Sequence, residues 1–209
     1  MAILARSEAR PRRGAAGEGH GALRRLGLVL PALIAFCLCA GARPAAPSAP
    51  NEYALKAAFL YNFAKFVTWP DSSLGHAAEP FVIAVLGDDP FGPVLEATVA
   101  EKHVGGHPIA IERASDLSDL GRCQLLYISD SEKRLIRWIT SELEGRPILT
   151  VASTEGFARD GGMIGLLLDG EQIRFDVSPM NIEQVGLRIS SKLLSLARDV
   201  IGCKKGPHS

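Results

Sequence analysis

The sequence has no net charge, and its charge balance bears on the classes of partner that the protein can bind. Its 209 residues hold 23 basic and 23 acidic side chains. The first 43 residues contain seven arginines and two glutamates, so the remainder carries 16 basic and 21 acidic side chains, a balance of −5. A mildly acidic domain gives no electrostatic reason to expect nucleic-acid binding. We therefore predict no nucleic-acid partner.

Cysteine is also scarce, with four in the whole chain. Cys37 and Cys39 lie in an apolar N-terminal stretch, which leaves Cys123 and Cys203. No Cys-x-x-Cys or Cys/His pair has the spacing of zinc ligands, so we predict no metal site. An oxidising compartment would permit one disulfide between Cys123 and Cys203, but the sequence does not show whether their Cα atoms come within bridging distance.

The motifs of common catalytic and nucleotide-binding sites are missing as well. No Gly-x-Ser-x-Gly elbow surrounds a serine, and the glycines at 156, 161 and 162 match neither a P-loop nor a dinucleotide fingerprint. We predict no catalytic residues and no cofactor. One enzymatic alternative is a hydrolase that uses Ser129 or Ser153 as nucleophile, with His103 or His107 as its base.

The N-terminus is typical of a secretory signal peptide. Basic residues up to Arg25 precede the 15-residue apolar stretch Leu26–Ala40, and small residues then end at Ala42. We predict residues 1–42 as a cleaved signal for export and residues 43–50 as a disordered lead-in. The alternative is an uncleaved N-terminal membrane anchor, although a spanning helix needs about 20 residues.

The rest of the chain indicates one α/β domain over residues 51–202, followed by a flexible tail over 203–209. Apolar runs of strand length alternate with helical patterns, in the order α-β-α-β-β-α-β-β-β-α. The predicted fold is a three-layer α/β sandwich with a mixed, mostly parallel sheet, Rossmann-like without the nucleotide motif. The main predicted elements are a helix over Glu52–Val67, strands over Phe81–Leu86, Gln124–Ile128 and Pro147–Val151, a helix over Pro90–Ala100 capped by Asp89, a loop over His103–Pro108, a hairpin that turns at Asp169–Gly170, and an amphipathic helix over Asn181–Ala197.

Candidate binding residues follow the parallel strands, where ligands of such sheets usually lie. Asp88 and Ser129 come directly after two of these strands, and Glu155 follows the third. Two interpretations of Glu155 and Arg159 stay open. The two residues form a salt bridge that orders their loop, or they present a rim for a partner or small ligand with Phe157 as its apolar anchor.

The aromatic residues of the first helix also have two interpretations. Their helical spacing is typical of core packing, and an exposed stripe that binds a partner is the alternative.

Three stretches together cover residues 52–200. They are Tyr53–Pro70 (YALKAAFLYNFAKFVTWP), Val85–Gly92 (VLGDDPFG), and a C-terminal series made of STEGFARDGGMI from Ser153, IRFDV from Ile173 and GLRISSKLLSLA from Gly186. In this order they resemble the YfiR family of periplasmic proteins. The resemblance implies a homodimeric periplasmic regulator that engages the periplasmic sensory domain of an inner-membrane diguanylate cyclase. It would thereby lower cyclic di-GMP output and biofilm formation.

The resemblance leaves the downstream partner open, because some relatives are linked to sensor kinases. Redox control through disulfides, which the resemblance also suggests, is in doubt in a chain with so few cysteines. An alternative function is a periplasmic small-molecule-binding sensor module linked to a sensor kinase or transporter. The regulator would expose an apolar patch at Phe157 or at the aromatics of the first helix, whereas the sensor module would have a closed polar pocket near Asp88, Ser129 and Glu155.

Overall fold

A computed structural model describes residues 49–76 and 78–202 of the protein. The predicted signal peptide, most of the lead-in, and the tail with Cys203 lie outside these residues. The helices are α1 (Ala49–Phe66), α2 (Asp71–Leu74), α3 (Pro93–Val99), α4 (Ile136–Glu142), α5 (Pro179–Gln184) and α6 (Ser191–Leu196). The strands are β1 (Val67–Thr68), β2 (Phe81–Leu86), β3 (His103–Val104), β4 (His107–Ala114), β5 (Leu125–Ile128), β6 (Leu149–Ala152), β7 (Ile164–Asp169), β8 (Gln172–Val177), β9 (Arg188–Ile189) and β10 (Asp199–Val200).

Eight of these strands form one mixed sheet, in the order β10-β8-β7-β6-β5-β2-β4-β3. The five strands β7, β6, β5, β2 and β4 run parallel, and β3 and β8 pair antiparallel to β4 and β7. β10 runs parallel to β8. β1 and β9 form a separate two-stranded ribbon.

The central strands are buried on both faces, which explains their unbroken apolar sequences. Every residue of β2, β5 and β6 is buried. Side chains on one face of the sheet pack against α1, α3 and the C-terminal helices, and those on the other face pack against α4. These observations confirm the predicted three-layer sandwich with a mostly parallel sheet.

The predicted helix over Asn181–Ala197 is wrong, because the chain breaks near its middle. Gly186 has a φ of +79°, a left-handed conformation that ends α5 and that other residues adopt at a cost. The next residues leave the helical path, and Arg188–Ile189 pair with Thr68 and Val67 at the end of α1. The apolar spacing continued across the break and concealed it.

Other boundaries also differ from the predictions. α1 begins at Ala49, inside the predicted disordered lead-in, instead of at Glu52. The hairpin pairs Asp169 with Gln172, so its turn residues are Gly170 and Glu171, one position later than predicted. Gly170 takes the φ of +62° that the first turn position requires.

The helix predicted from Pro90 begins instead at Pro93. Asp89 does not cap it: its side chain accepts a hydrogen bond from the Phe91 N–H at 2.8 Å and closes a local turn. The predicted loop over His103–Pro108 is the hairpin between β3 and β4.

Candidate functional site

The segments that follow the parallel strands are joined to one another by hydrogen bonds at the rim of the sheet. The Asp88 N–H donates to Ser131 Oγ at 3.0 Å, and Thr154 Oγ1 donates to Asp130 Oδ1 at 3.0 Å. Each bond links the segments that follow two neighbouring strands. Ser129 itself is buried, with 5% of its surface exposed. Asp130 and Ser131 thus accept the bonds that link neighbouring turns, and the side chains of Asp88 and Glu155 remain exposed.

The first turn of α1 covers the same rim with aromatic rings. Tyr53 makes an edge contact with Phe91 at 5.6 Å, and Phe91 makes one with Tyr127 at 4.8 Å. The Tyr127 hydroxyl lies 3.0 Å from Ser153 Oγ, and burial raises the pKa of Tyr127. Burial, followed by the nearby carboxylates of Glu52 and Asp130, also raises the pKa of Tyr53. Ser153 is thus paired with a neutral phenol.

The described histidines lie towards the amino ends of the parallel strands, whereas the candidate serines lie at the carboxyl ends. His107 begins β4, and its Nδ1 lies 2.8 Å from the carbonyl oxygen of Glu79. His103 pairs with Pro108 beside it, and His76 precedes β2. Ser129 and Ser153 follow β5 and β6, at the carboxyl ends of the parallel strands. The hydrolase alternative therefore has no histidine base among these residues.

The prediction that Phe157 forms an exposed anchor is wrong. Only 1% of its surface is exposed, and it packs in the core that faces α4. Its ring fills the space that a side chain at position 162 would need, which explains the glycine there. The predicted Glu155–Arg159 salt bridge is also wrong, since Arg159 pairs with Asp199 at 2.8 Å. Glu155 remains exposed on the loop surface.

A different surface has the character of a binding site. α1, α6 and the part of β8 that the short edge strand β10 leaves uncovered enclose an open groove of about 370 Å³. Phe175 lies beneath it, 6.0 Å from the ring of Phe59 and 5.2 Å from that of Phe63. The residues that line this edge groove are Phe59, Asn62, Phe66, Gln172, Ile173, Arg174, Phe175, Lys192, Leu193 and Leu196.

The charged residues that line the edge groove are both cations. Its lining includes Arg174 and Lys192 but no carboxylate. Both cations are exposed, and the Lys192 ammonium lies 5.4 Å from the centre of the Phe66 ring. Leu196 is 61% exposed at the groove wall. The groove therefore suits an apolar group flanked by negative charge.

Two ion pairs fix the chain beside this groove. Arg198 donates two hydrogen bonds to the carboxylate of Asp176, at 2.9 and 2.6 Å, and Asp176 is only 7% exposed. This paired carboxylate raises the pKa of Arg198. Together with the Arg159–Asp199 pair, it holds β10 against β8.

The sequence contained part of the signal for this groove. Phe59 and Phe66 belong to the aromatic residues for which an exposed stripe was the alternative interpretation. The groove nevertheless combines three distant segments, and its third wall exists only because the C-terminal helix is broken at Gly186. Helical periodicity alone could not reveal that break.

The chain was compared with known proteins at the level of families, curated proteins and solved structures. The family model described as YfiR/HmsC-like matches residues 53–198. This match covers well over half of the sequence. The protein belongs to the YfiR/HmsC-like family. No curated protein matches this family member.

Among the solved structures, the family member is similar to a conserved domain protein from Vibrio cholerae O1 biovar El Tor. The TM-score is 0.45 at 11% sequence identity, and the match covers 57% of this chain and 54% of the other. The chain thus spans about half the length of that protein. A TM-score of this size supports no conclusion about fold or function.

Two further findings concern the membrane and the cysteines. Within residues 49–76 and 78–202, no helix has both the length and the hydropathy that a membrane-spanning helix needs. Cys123 is a buried, free cysteine, and Cys203 lies outside these residues. The pairing of the two stays a prediction.

Proposed function

We propose that this protein is a periplasmic regulator that binds the periplasmic sensory part of an inner-membrane signalling protein and restrains its output. A diguanylate cyclase is the expected partner, in keeping with the resemblance to YfiR, and a sensor kinase is the alternative. The observation that supports the proposal is the edge groove, an open apolar surface with two cations and no carboxylate in its lining. Membership of the YfiR/HmsC-like family supports the same role.

The predicted rim residues have a smaller place in this proposal. The side chains of Glu155 and Asp88 are exposed and remain available to a partner, although the Asp88 backbone N–H donates to Ser131, whereas Ser129 is buried. Arg159 acts through Asp199, which positions β10 beside the edge groove. The docking surface is therefore placed at the groove instead of at the loop that carries Phe157.

The experiment is a pull-down from detergent-solubilised inner membranes. The full chain is produced in its host with its leader and a C-terminal affinity tag, and captured proteins are identified by mass spectrometry. The test variant is Leu196→Asp, which places a negative charge in the groove wall. The matched control is Met180→Asp, because Met180 is similarly exposed, at 58%, but lines a separate cavity beside Ile201 and Gly202.

The proposal requires that wild type and Met180→Asp capture a membrane signalling protein and that Leu196→Asp does not. A diguanylate cyclase assay on the captured protein then tests the sign of regulation. Equal capture by Leu196→Asp would remove the groove from the proposal. Failure of every form to capture a membrane partner would contradict the regulatory function itself.

A second function, a small-molecule sensor module, is favoured by the size of the same groove. Its volume of about 370 Å³ falls within the range of ligand sites, and its lining combines apolar residues with a few polar ones. A thermal-shift screen of periplasmic small molecules tests it. A ligand that stabilises the wild type and Met180→Asp but not Leu196→Asp would favour this function. The homodimer that the YfiR resemblance implies is tested separately by sedimentation of the purified chain.

A further inference from the structure

The hydrogen-bond pattern of β8 shows which of its backbone groups face outwards. The Ser178 N–H donates to Met163 O at 2.8 Å, on the side of β7. Backbone groups alternate along an antiparallel strand, so those of Gln172, Arg174 and Asp176 face β7 as well. The groups of Ile173, Phe175 and Val177 face the other way. The bonds from Arg198 N–H to Phe175 O and from Ile201 N–H to Val177 O, at 2.8 and 2.7 Å, agree with this assignment.

The outer edge of β8 is only partly covered. β10 pairs with Asp176 and Val177 and does not extend further along the strand. In the described part of the chain, no strand pairs with Ile173 on this outer side. Its N–H and C=O point out of the sheet where the edge groove lies, since Gln172, Ile173 and Arg174 all line that groove. An open strand edge is a template for another strand.

We propose that the edge groove receives an extended, acidic segment of the signalling partner, which adds to the sheet as a strand beside β8. The segment exchanges two backbone hydrogen bonds with Ile173 and places an aliphatic side chain between Phe59, Phe66 and Leu196. The carboxylates of its two neighbours point to the other face of the sheet, where Arg174 lies, and Lys192 adds positive charge at the groove wall. This inference rests on the proposed function and specifies how the partner is recognised.

Charge selects this occupant over segments of the same chain. Residues 203–209 contain two lysines and no acidic side chain, and residues 43–50 contain one arginine and no acidic side chain. A second copy that paired edge to edge would bring a second Arg174 and Lys192 to the same place. Each of these occupants adds positive charge or none to a groove that already holds two cations. An acidic strand is complementary in both charge and hydrogen bonding.

The experiment uses three labelled peptides, whose binding to the purified full chain is followed by fluorescence anisotropy. The first is the blocked peptide Glu-Val-Glu-Leu-Glu. The second has the same sequence with N-methyl groups on the backbone nitrogens that would face β8, and the third replaces its glutamates by lysines. We expect the acidic peptide to bind. The N-methylated peptide cannot form these backbone hydrogen bonds and should bind about tenfold or more weakly. The lysine peptide should not bind measurably.

A charge-reversed protein provides the decisive comparison. The variant Arg174→Glu with Lys192→Glu should lose the acidic peptide and gain the lysine peptide. The matched control reverses two exposed cations elsewhere, Lys133→Glu with Arg137→Glu, and should keep the wild-type preference. Near-UV circular dichroism verifies that each variant is folded. A gain of binding by the opposite peptide cannot arise from a merely structural defect.

Three results would overturn the proposal. The first is that the acidic peptide does not bind at about 1 mM, the weakest affinity expected of a specific site. The second is that the N-methylated peptide binds as tightly as the acidic peptide. The third is that the charge-reversed variant keeps the wild-type preference. Release of a wild-type dimer by the acidic peptide would assign the edge to a second copy instead.

The peptide and membrane experiments distinguish failure of the strand site from failure of the regulatory function. Peptide binding without a captured membrane partner would retain the strand site and contradict the regulatory function. Capture that depends on Leu196, without peptide binding, would retain the function and contradict strand addition.

Discussion

Gln124 joins two distant parts of the chain through hydrogen bonds that are buried from solvent. Its side-chain Oε1 accepts from the Val82 N–H at 2.7 Å, and its Nε2 donates to the carbonyl oxygen of Ser73 at 2.7 Å. The residue is only 2% exposed. The substitution Gln124→Leu preserves approximate volume but removes both bonds. It therefore leaves a buried N–H and a buried C=O without their partner.

The expected cost follows from these two orphaned groups. Each buried polar group that loses its partner costs about 1–3 kcal/mol, and the added apolar surface of leucine offsets part of the total. We expect the free energy of unfolding to fall by about 2–4 kcal/mol, which lowers the melting temperature by about 4–16 °C in a domain of this size. Urea denaturation and thermal scans of the purified protein measure both quantities.

The control is Gln172→Leu, because Gln172 is an exposed glutamine on β8. Its substitution should change stability by less than about 0.5 kcal/mol. A loss below about 1 kcal/mol for Gln124→Leu would refute the reasoning, since water or a shifted backbone would then be satisfying both groups.

Three other predictions concern the core, the thiol and the response to acid. Phe175→Ala should lower the free energy of unfolding by about 3–5 kcal/mol in urea titrations, because its ring packs under the groove against Phe59 and Phe63; a cost below about 1 kcal/mol would contradict that packing. Burial raises the pKa of Cys123 to about 12, so iodoacetamide should label it only after denaturation, and rapid native labelling followed by mass spectrometry would contradict the placement. The hydrogen bond from Arg113 lowers the pKa of Glu96 from its usual 4.5, so this pair contributes stability above that pH and loses it as the pH falls through the lowered value. Arg113→Gln should then reduce the acid sensitivity of the urea midpoint, and an unchanged pH profile would count against the pair.

The parallel core of the fold was predictable from residues alone. β2 and β5 are short apolar runs that end at Gly87 and Ser129, and their continuous hydrophobicity is required when both faces of a strand are covered. Here local sequence and tertiary environment favour the same structure. The segment after β8 is different, because its apolar spacing fits one helix while the chain forms two short helices around a strand. Gly186 and the capping residue Ser190 are local signals of the break, and the pairing of Arg188 and Ile189 with residues near the start of the domain decides the path between them.

The contacts of the candidate site were even less predictable from local sequence. Phe157 lies in a polar, glycine-rich loop, which favoured an exposed position, yet its ring is fixed in the core beneath Gly162. Arg159 has an acidic residue four positions before it but pairs with Asp199. Both outcomes depend on segments that are distant in sequence. Local spacing identified side chains that could interact and could not identify their partners.

The position of the edge groove in the chain has a consequence for biogenesis. Its walls come from α1, at the beginning of the domain, and from β8 and α6, at its end. Contacts between segments this far apart form late, because the intervening chain must first be closed into a loop. A chain that is synthesised from its N-terminus cannot present this surface until its last helix has been made. A partner that binds the groove would therefore respond only to complete, folded copies. Truncated or stalled chains would not bind it.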